Sequence, residues 1–366
     1  MNMQKVRMMP GFCLAMLLLI LLAVSQWLLP PQEISEMENR VLAQKPALTF
    51  DRFWSGAYAT ELEQFAADQM PLRDGFVSAY TTMQAVLGRR MVNDALRGKD
   101  GFLFDTSAVY TERNLRLNAD ALSGLEEASG KKVWLLAVPT AASVYAEKTP
   151  ANAPLGDDEA SLDAVARELT LIPLLDSMRA RRDQSLYYAM DHHWTAAGAR
   201  IGYEAVCSAL GLEASPEGEI VTREGFYGSF YARYPLPWLE ADVLTYEQTD
   251  GLRLFIEGTE QPSLVDEAVL GGRDKYAALL RGNHGCIELI NDRVDAGVLL
   301  VIKDSYANAL LPVLARHYHR IIAVDPRYFT GNITEFAAAY EGEDILCVCG
   351  IGTLASSRII ALMEGF

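Results

Sequence analysis

The chain has 366 residues, half of them hydrophobic and 22% charged, enough for one large catalytic domain and something smaller. Its formal net charge is −16 and its pI near 4.8, which excludes a nucleic-acid partner because phosphate binding needs a basic face. The same charge weakly repels anionic lipid headgroups and suits a neutral or cationic ligand.

Residues 11–29, GFCLAMLLLILLAVSQWLL, form an uncharged run. With Met8 and Met9 it reaches the roughly 20 residues that a bilayer-spanning helix needs. Lys5 and Arg7 precede it, and Glu33, Glu36 and Glu38 follow. The positive-inside rule then puts the N-terminus in the cytoplasm and everything after Pro30 outside. Two readings compete: an uncleaved anchor over 1–30, or a signal peptide cut near AVS at 23–25. The length of the run and bulky Trp27 favour the anchor, giving a single-pass cell-membrane protein with an extracytoplasmic body.

From 31 to 95 the text is polar and helical, with Pro71 breaking it into two helices, and reads as a membrane-proximal stalk. GKDGFLF at 98–104 is a turn leading into a strand. Beyond it, apolar runs at 131–140, 172–176, 296–305, 320–325 and 344–350 read as strands. Helical patterns separate them, notably 157–170 and 195–211, the latter with Thr195 as N-cap. Short apolar strands alternating with helices predict a three-layer α/β fold around a mostly parallel sheet over 96–366. Residues 215–290, richer in Gly, Pro and aromatics, read as an insertion beside the site. The cysteines read as free thiols; a Cys207–Cys286 pair is compatible with the sequence but not demanded by it.

Two stretches carry chemistry. VLLVIKDSYANALL (298–311) runs an apolar strand into a helix with Ser305 at the junction, where open α/β sheets form their sites. Ser305 there is either a nucleophile near helix N–H groups or merely the helix cap. YYAMDHHWTAAGAR (187–200) places Asp191 and His193 two apart, on one face of an extended segment, with His192 pointing the other way. A carboxylate orienting an imidazole that deprotonates a serine is triad logic; the plainer reading makes Asp191 a cap and the histidines polar core. A metal site from Asp191, His192 and His193 is disfavoured, since diverging neighbours make poor ligands and no zinc spacing occurs. No cofactor is implied.

MDHHWTAAGA (190–199) and KDSYANALLPVLARHYHRIIAVDPRY (303–328) resemble the DHHW protein family of mostly Gram-positive bacteria. SEMENRVLAQKP (35–46), GKDGFLF and GNHGCIELI (282–290) are similar to its pattern as well. That family in turn resembles the SGNH-hydrolase-like (flavodoxin-like) domain of alginate O-acetyltransferases, where an Asp-x-His-Trp element and a later serine form a triad. The resemblance places that element on Asp191, His193 and Trp194 and the nucleophile on Ser305. It implies a serine acyl transferase acting on a polysaccharide or other glycan, its acyl donor reached through a polytopic membrane O-acyltransferase. An esterase of the same fold and a non-catalytic glycan-binding or envelope-assembly protein are the alternatives. Asn283 is the first candidate for an oxyanion donor, its side-chain amide suiting the task, against a plain turn. Arg327, Tyr328, Trp194 and His192 are the other candidate substrate-facing residues, and Ser229 is a rival serine. The aromatic stretch 225–238 reads equally as a sugar-stacking platform and as core.

Overall fold

The computed structural model describes residues 3–35, 37, 38, 40–357 and 360; Glu36, one of the acids expected after the apolar run, lies outside them. The chain divides into two units, one of residues up to Arg89 with Pro235–Pro237, the other Arg90–Tyr234 with Trp238 onward.

In the first unit, α1 (Met3–Leu28) contains a 19-residue stretch, Pro10–Leu28, long and apolar enough to cross a membrane. Three shorter helices follow: α2 (Phe50–Trp54), α3 (Ala57–Asp68) and α4 (Arg73–Val86), with Pro71 between the last two. Asp68 knots this unit together. Its carboxylate takes both arms of Arg40, at 2.8 and 2.5 Å, and the Ala43 N–H at 2.8 Å. The Arg40 guanidinium holds the Asp68 carboxyl down at about 2.

The second unit is built on an eight-stranded sheet. Its strands are β1 (Lys132–Val138), β2 (Thr170–Leu171), β3 (Leu252–Ile256), β4 (Thr259–Glu260), β5 (Cys286–Asn291), β6 (Val298–Lys303), β7 (Arg320–Val324) and β8 (Asp344–Gly350). They lie in the order β4-β3-β5-β7-β6-β8-β1-β2, parallel from β7 to β2 and antiparallel from β4 to β7. Period-two alternation sorts each strand's side chains onto two faces. From β6, Leu299 and Val301 enter one apolar cluster, and Leu300 and Ile302 the other.

Helices α5 (Glu112–Ser129), α6 (Ala196–Leu210), α7 (Ala307–Leu314), α8 (Ile333–Ala339) and α9 (Ile351–Ser356) cover both faces. Ile201 and Val206 of α6 and Leu310 and Leu314 of α7 join the first cluster. Leu122 and Leu125 of α5, Ile333 of α8 and Leu354 of α9 join the second. The result is the three-layer arrangement expected from alternating apolar runs and amphipathic helices. Thr195 caps α6 by accepting the Gly198 N–H at 3.3 Å.

Two expectations are corrected. The strand at 172–176 is absent: β2 stops at Leu171 and a helix occupies Leu175–Ala180. Pro173 explains it, since proline has no N–H with which to extend a ladder. Residues 215–290 are only partly an insertion, because β3, β4 and the start of β5 extend the central sheet antiparallel. All five cysteines are free, and the Cys207–Cys286 pair that the sequence left open is not formed.

Candidate active site

β6 ends at Lys303 and α7 begins at Ala307, so Asp304, Ser305 and Tyr306 turn at the carboxyl end of a parallel strand. Asp304 fixes that turn. Its buried carboxylate accepts from the Tyr306 N–H at 2.9 Å and, across to the end of β8, from the Gly350 N–H at 2.8 Å. Burial pushes the Asp304 carboxyl up, and those two donors work against it. The Trp194 indole N–H donates to the Tyr306 carbonyl at 3.0 Å, and the Tyr276 hydroxyl to the Ser305 carbonyl at 3.2 Å. No side chain caps α7, and the Ser305 hydroxyl meets His193 instead, so Ser305 is not the helix cap.

Asp191 and His193 reach one another through a bend rather than an extended segment. One Asp191 oxygen accepts both the His193 backbone N–H at 2.9 Å and its Nδ1–H at 2.6 Å. The other accepts the Ser229 N–H at 2.7 Å. An ionised carboxylate can only accept, so the His193 proton sits on Nδ1. Nε2 is left to accept from the Ser305 hydroxyl, 2.7 Å away. Burial works to raise the Asp191 carboxyl, but His192, His193 and the Ser229 N–H outweigh it and hold the group well below the usual carboxylate range. Gly228 permits this approach: a Cβ there would run into the Asp191 carboxylate.

His193 is buried between two rings. Tyr276 stacks on one side at 3.7 Å and 10°, and His192 lies on the other at 3.7 Å and 37°. His192 therefore does not point away, because the bend brings adjacent imidazoles face to face. Its Nδ1 lies 2.9 Å from the Ser229 hydroxyl, and its backbone carbonyl accepts from the Tyr306 hydroxyl at 2.6 Å. Partial burial and the neighbouring His193 push His192 below the ordinary imidazole value. Ligand atoms of Asp191, His192 and His193 lie within 4.8 Å of one another. Yet His193 spends both ring nitrogens on Asp191 and Ser305, and His192 spends Nδ1 on Ser229.

A cavity of about 720 Å³ adjoins this constellation, with His192, Ser229, Phe230, Arg233, Tyr110 and Tyr306 in its wall. Behind it, buried Asp158 accepts from the Tyr110 hydroxyl at 2.7 Å and the Thr140 hydroxyl at 2.8 Å, stiffening that side.

The remaining sequence candidates are placed as follows. Asn283 accepts on its carbonyl oxygen from Lys303 and Asn308, both at 3.3 Å, so those bonds do not use its NH₂. Arg327 clamps buried Asp325 through Nε at 2.8 Å and a terminal nitrogen at 2.5 Å, which spends its charge. Tyr328 is 52% exposed beside it, and neither residue lines the cavity. Trp194 is 0% exposed, edge-on to Tyr306 and packed over Gly202, so it faces the core and supports the Ser305 turn from behind. Phe226, Tyr231 and Tyr234 of the aromatic stretch are buried in the core, whereas Phe230 lines the cavity and Trp238 is half exposed.

Sequence reasoning missed Tyr276, which no motif marks. It also missed the positioning work of Asp304 and Tyr306, for which the run Asp-Ser-Tyr at a strand end was the available signal.

Residues 95–244 match the family model of the SGNH hydrolase-like domain of the acetyltransferase AlgX. The chain has the SGNH hydrolase-like fold. A DHHW family protein from Eubacterium siraeum superposes with a TM-score of 0.64 at 20% identity, over 74% of this chain and 95% of that one. PatB1 from Bacillus cereus superposes at 0.61 and 17% identity, over 72% and 98%. A further structure of PatB1, at 0.60 and 15% identity over 72% and 97%, carries a sulfonyl adduct. No curated protein sequence matches the chain.

Proposed function

We propose that the protein is a membrane-anchored, extracytoplasmic acyltransferase that O-acetylates a cell-surface or secreted polysaccharide, with Ser305, His193 and Asp191 as its triad. One observation carries this reading: the unbroken hydrogen-bond chain from the Ser305 hydroxyl to His193 Nε2 at 2.7 Å and from Nδ1 to Asp191 at 2.6 Å, beside a substrate-sized cavity. The match of residues 95–244 to an acetyltransferase domain supports it.

Ser305 Oγ attacks the acyl carbonyl carbon while His193 Nε2 takes its proton. The tetrahedral adduct then expels the donor's leaving group, which takes that proton, and the acetyl ester remains on Ser305. A sugar hydroxyl attacks this ester in turn, losing its proton to His193, which returns it to Ser305 Oγ as the C–O bond breaks. Asp191 stays ionised and stabilises the imidazolium formed in each half. The Ser305 N–H donates to no described residue, which leaves it available for the developing oxyanion.

Anchoring is supported by the apolar stretch Pro10–Leu28, which leaves 31–95 as a stalk and 96–366 as the catalytic domain. A polytopic membrane O-acyltransferase would supply the acyl group. Half-buried Ser305 also admits water, and transfer to water would make the same site a carbohydrate esterase. Incubating the detergent-solubilised full chain with p-nitrophenyl acetate and a glycan panel tests the reading. Acetylated glycan formed by wild type and lost in Ser305→Ala is the expected result. Equal product from both proteins would overturn it.

A further inference from the structure

We propose that His192, held by Ser229, positions the sugar hydroxyl that accepts the acetyl group, and that this sugar bears no acid group. The inference rests on the acyltransferase reading above and adds to it a residue and a substrate class.

His192 is the histidine that the cavity sees. Its side chain is 41% exposed, against 8% for His193, and it forms part of the wall. Its orientation is fixed from three directions. Nδ1 is 2.9 Å from the Ser229 hydroxyl, its own carbonyl holds the Tyr306 hydroxyl at 2.6 Å, and the Ser229 N–H is anchored on Asp191 at 2.7 Å. Nε2 has no hydrogen-bond partner among the described residues. An imidazole pinned at one nitrogen and unpartnered at the other, on a cavity wall, is a preorganised hydrogen-bonding site.

Partial burial and the neighbouring charge keep that imidazole neutral against the pull of Asp191, 3.7 Å from Nδ1. His193 becomes a cation in each half-reaction, and a second cation with its ring 3.7 Å away is disfavoured. His192 is therefore not a second base. It is a positioning residue whose single Nε2 hydrogen bond holds the acceptor beside the His193 ring.

The choice of a sugar without an acid group comes from the cavity's charges. Histidine aside, its described lining carries two charged side chains, Arg233 and Asp105, and they pair with one another at 2.8 Å. A carboxylate-bearing sugar would meet no unpaired cation there. Asp191 lies just behind the wall, bonded to Ser229, and adds repulsion.

The test uses the full chain in detergent, acylated by p-nitrophenyl acetate, with a neutral cello- or chito-oligosaccharide or an oligouronate as acceptor. The readout is the ratio of acetyl transferred to sugar over acetyl released to water, which is insensitive to how fast the acyl-enzyme forms. His192→Phe keeps a ring against His193 but removes both nitrogens, and should lower the ratio about tenfold, the loss of one hydrogen bond. Ser229→Ala should lower it severalfold, and His192→Gln, which restores a polar atom near Nε2, should recover part of the loss. The neutral acceptor should outperform the uronate in wild type. An unchanged ratio in His192→Phe and Ser229→Ala would overturn the positioning role, and a preferred uronate the substrate class. An unchanged ratio with transfer intact would overturn this inference alone, whereas hydrolysis without transfer to any sugar, or no acyl-enzyme in wild type, would overturn the acyltransferase reading with it.

Discussion

Replacing Asp191 by asparagine removes one charge while conserving shape, and the site has no way to absorb the change. One oxygen of Asp191 accepts from His193 Nδ1–H at 2.6 Å and the other from the Ser229 N–H at 2.7 Å. An amide offers one acceptor and one donor. Turned with its NH₂ toward Ser229, it sets donor against donor. Turned with its NH₂ toward His193, it forces the proton from Nδ1 to Nε2, which then cannot accept from Ser305. The lost charge acts on the imidazolium of the transition state. With charge centres about 4 Å apart and an effective dielectric near 20, the attraction is about 4 kcal/mol, or about 10³ in rate. The wrong tautomer brings the expected loss to about 10³–10⁴. Because the Asp191 carboxyl is held well below its ordinary range, it stays ionised from pH 5 to 8, and the deficit should be the same across that window. Stopped-flow release of p-nitrophenolate by the full chain in detergent measures the acylation step. A burst within tenfold of wild type, or a deficit that vanishes toward pH 5, would refute the reasoning.

Trp194→Ala should destabilise the protein by about 3–5 kcal/mol, since the ring is fully buried, whereas Ser305→Ala should change stability by under about 0.5 kcal/mol; denaturant melts of the two compare them. Gly228→Ala drives a methyl group into the Asp191 carboxylate and should slow acylation at least tenfold, read from the same burst. Lys303 is fully buried, and burial lowers its pKa to about 8 from 10.5. Between those values the unfolded chain binds the extra proton, so stability rises with pH. Wild type should therefore gain on Lys303→Met as pH climbs from 8 toward 10.5, and melts at several pH values would show parallel curves if burial had no such effect.

What the sequence disclosed and what it withheld divide along physical lines. β1, β6, β7 and β8 were legible because a strand buried on both faces must be continuously apolar. β3 and β5 were not, since antiparallel strands toward a sheet edge carry alternating polar residues such as Arg253 and Glu288. Ser305, His193 and Asp191 announced themselves by residue type and by position at a strand end. Their partners did not: Tyr276 reaches His193 from a short helical turn 83 residues further along, a contact that no local pattern encodes. Arg327 misled for the opposite reason: it is chemically suited to a carboxylate, but the fold spends it on Asp325.

Intact-mass and peptide mass spectrometry of the full chain, quenched during turnover of p-nitrophenyl acetate, address the Ser305 nucleophile most directly. The proposed mechanism predicts one added acetyl group, localised to Ser305, absent in Ser305→Ala and blocked by prior treatment with a sulfonyl fluoride. Turnover with the acetyl group on another residue, or on no residue at all, would contradict it.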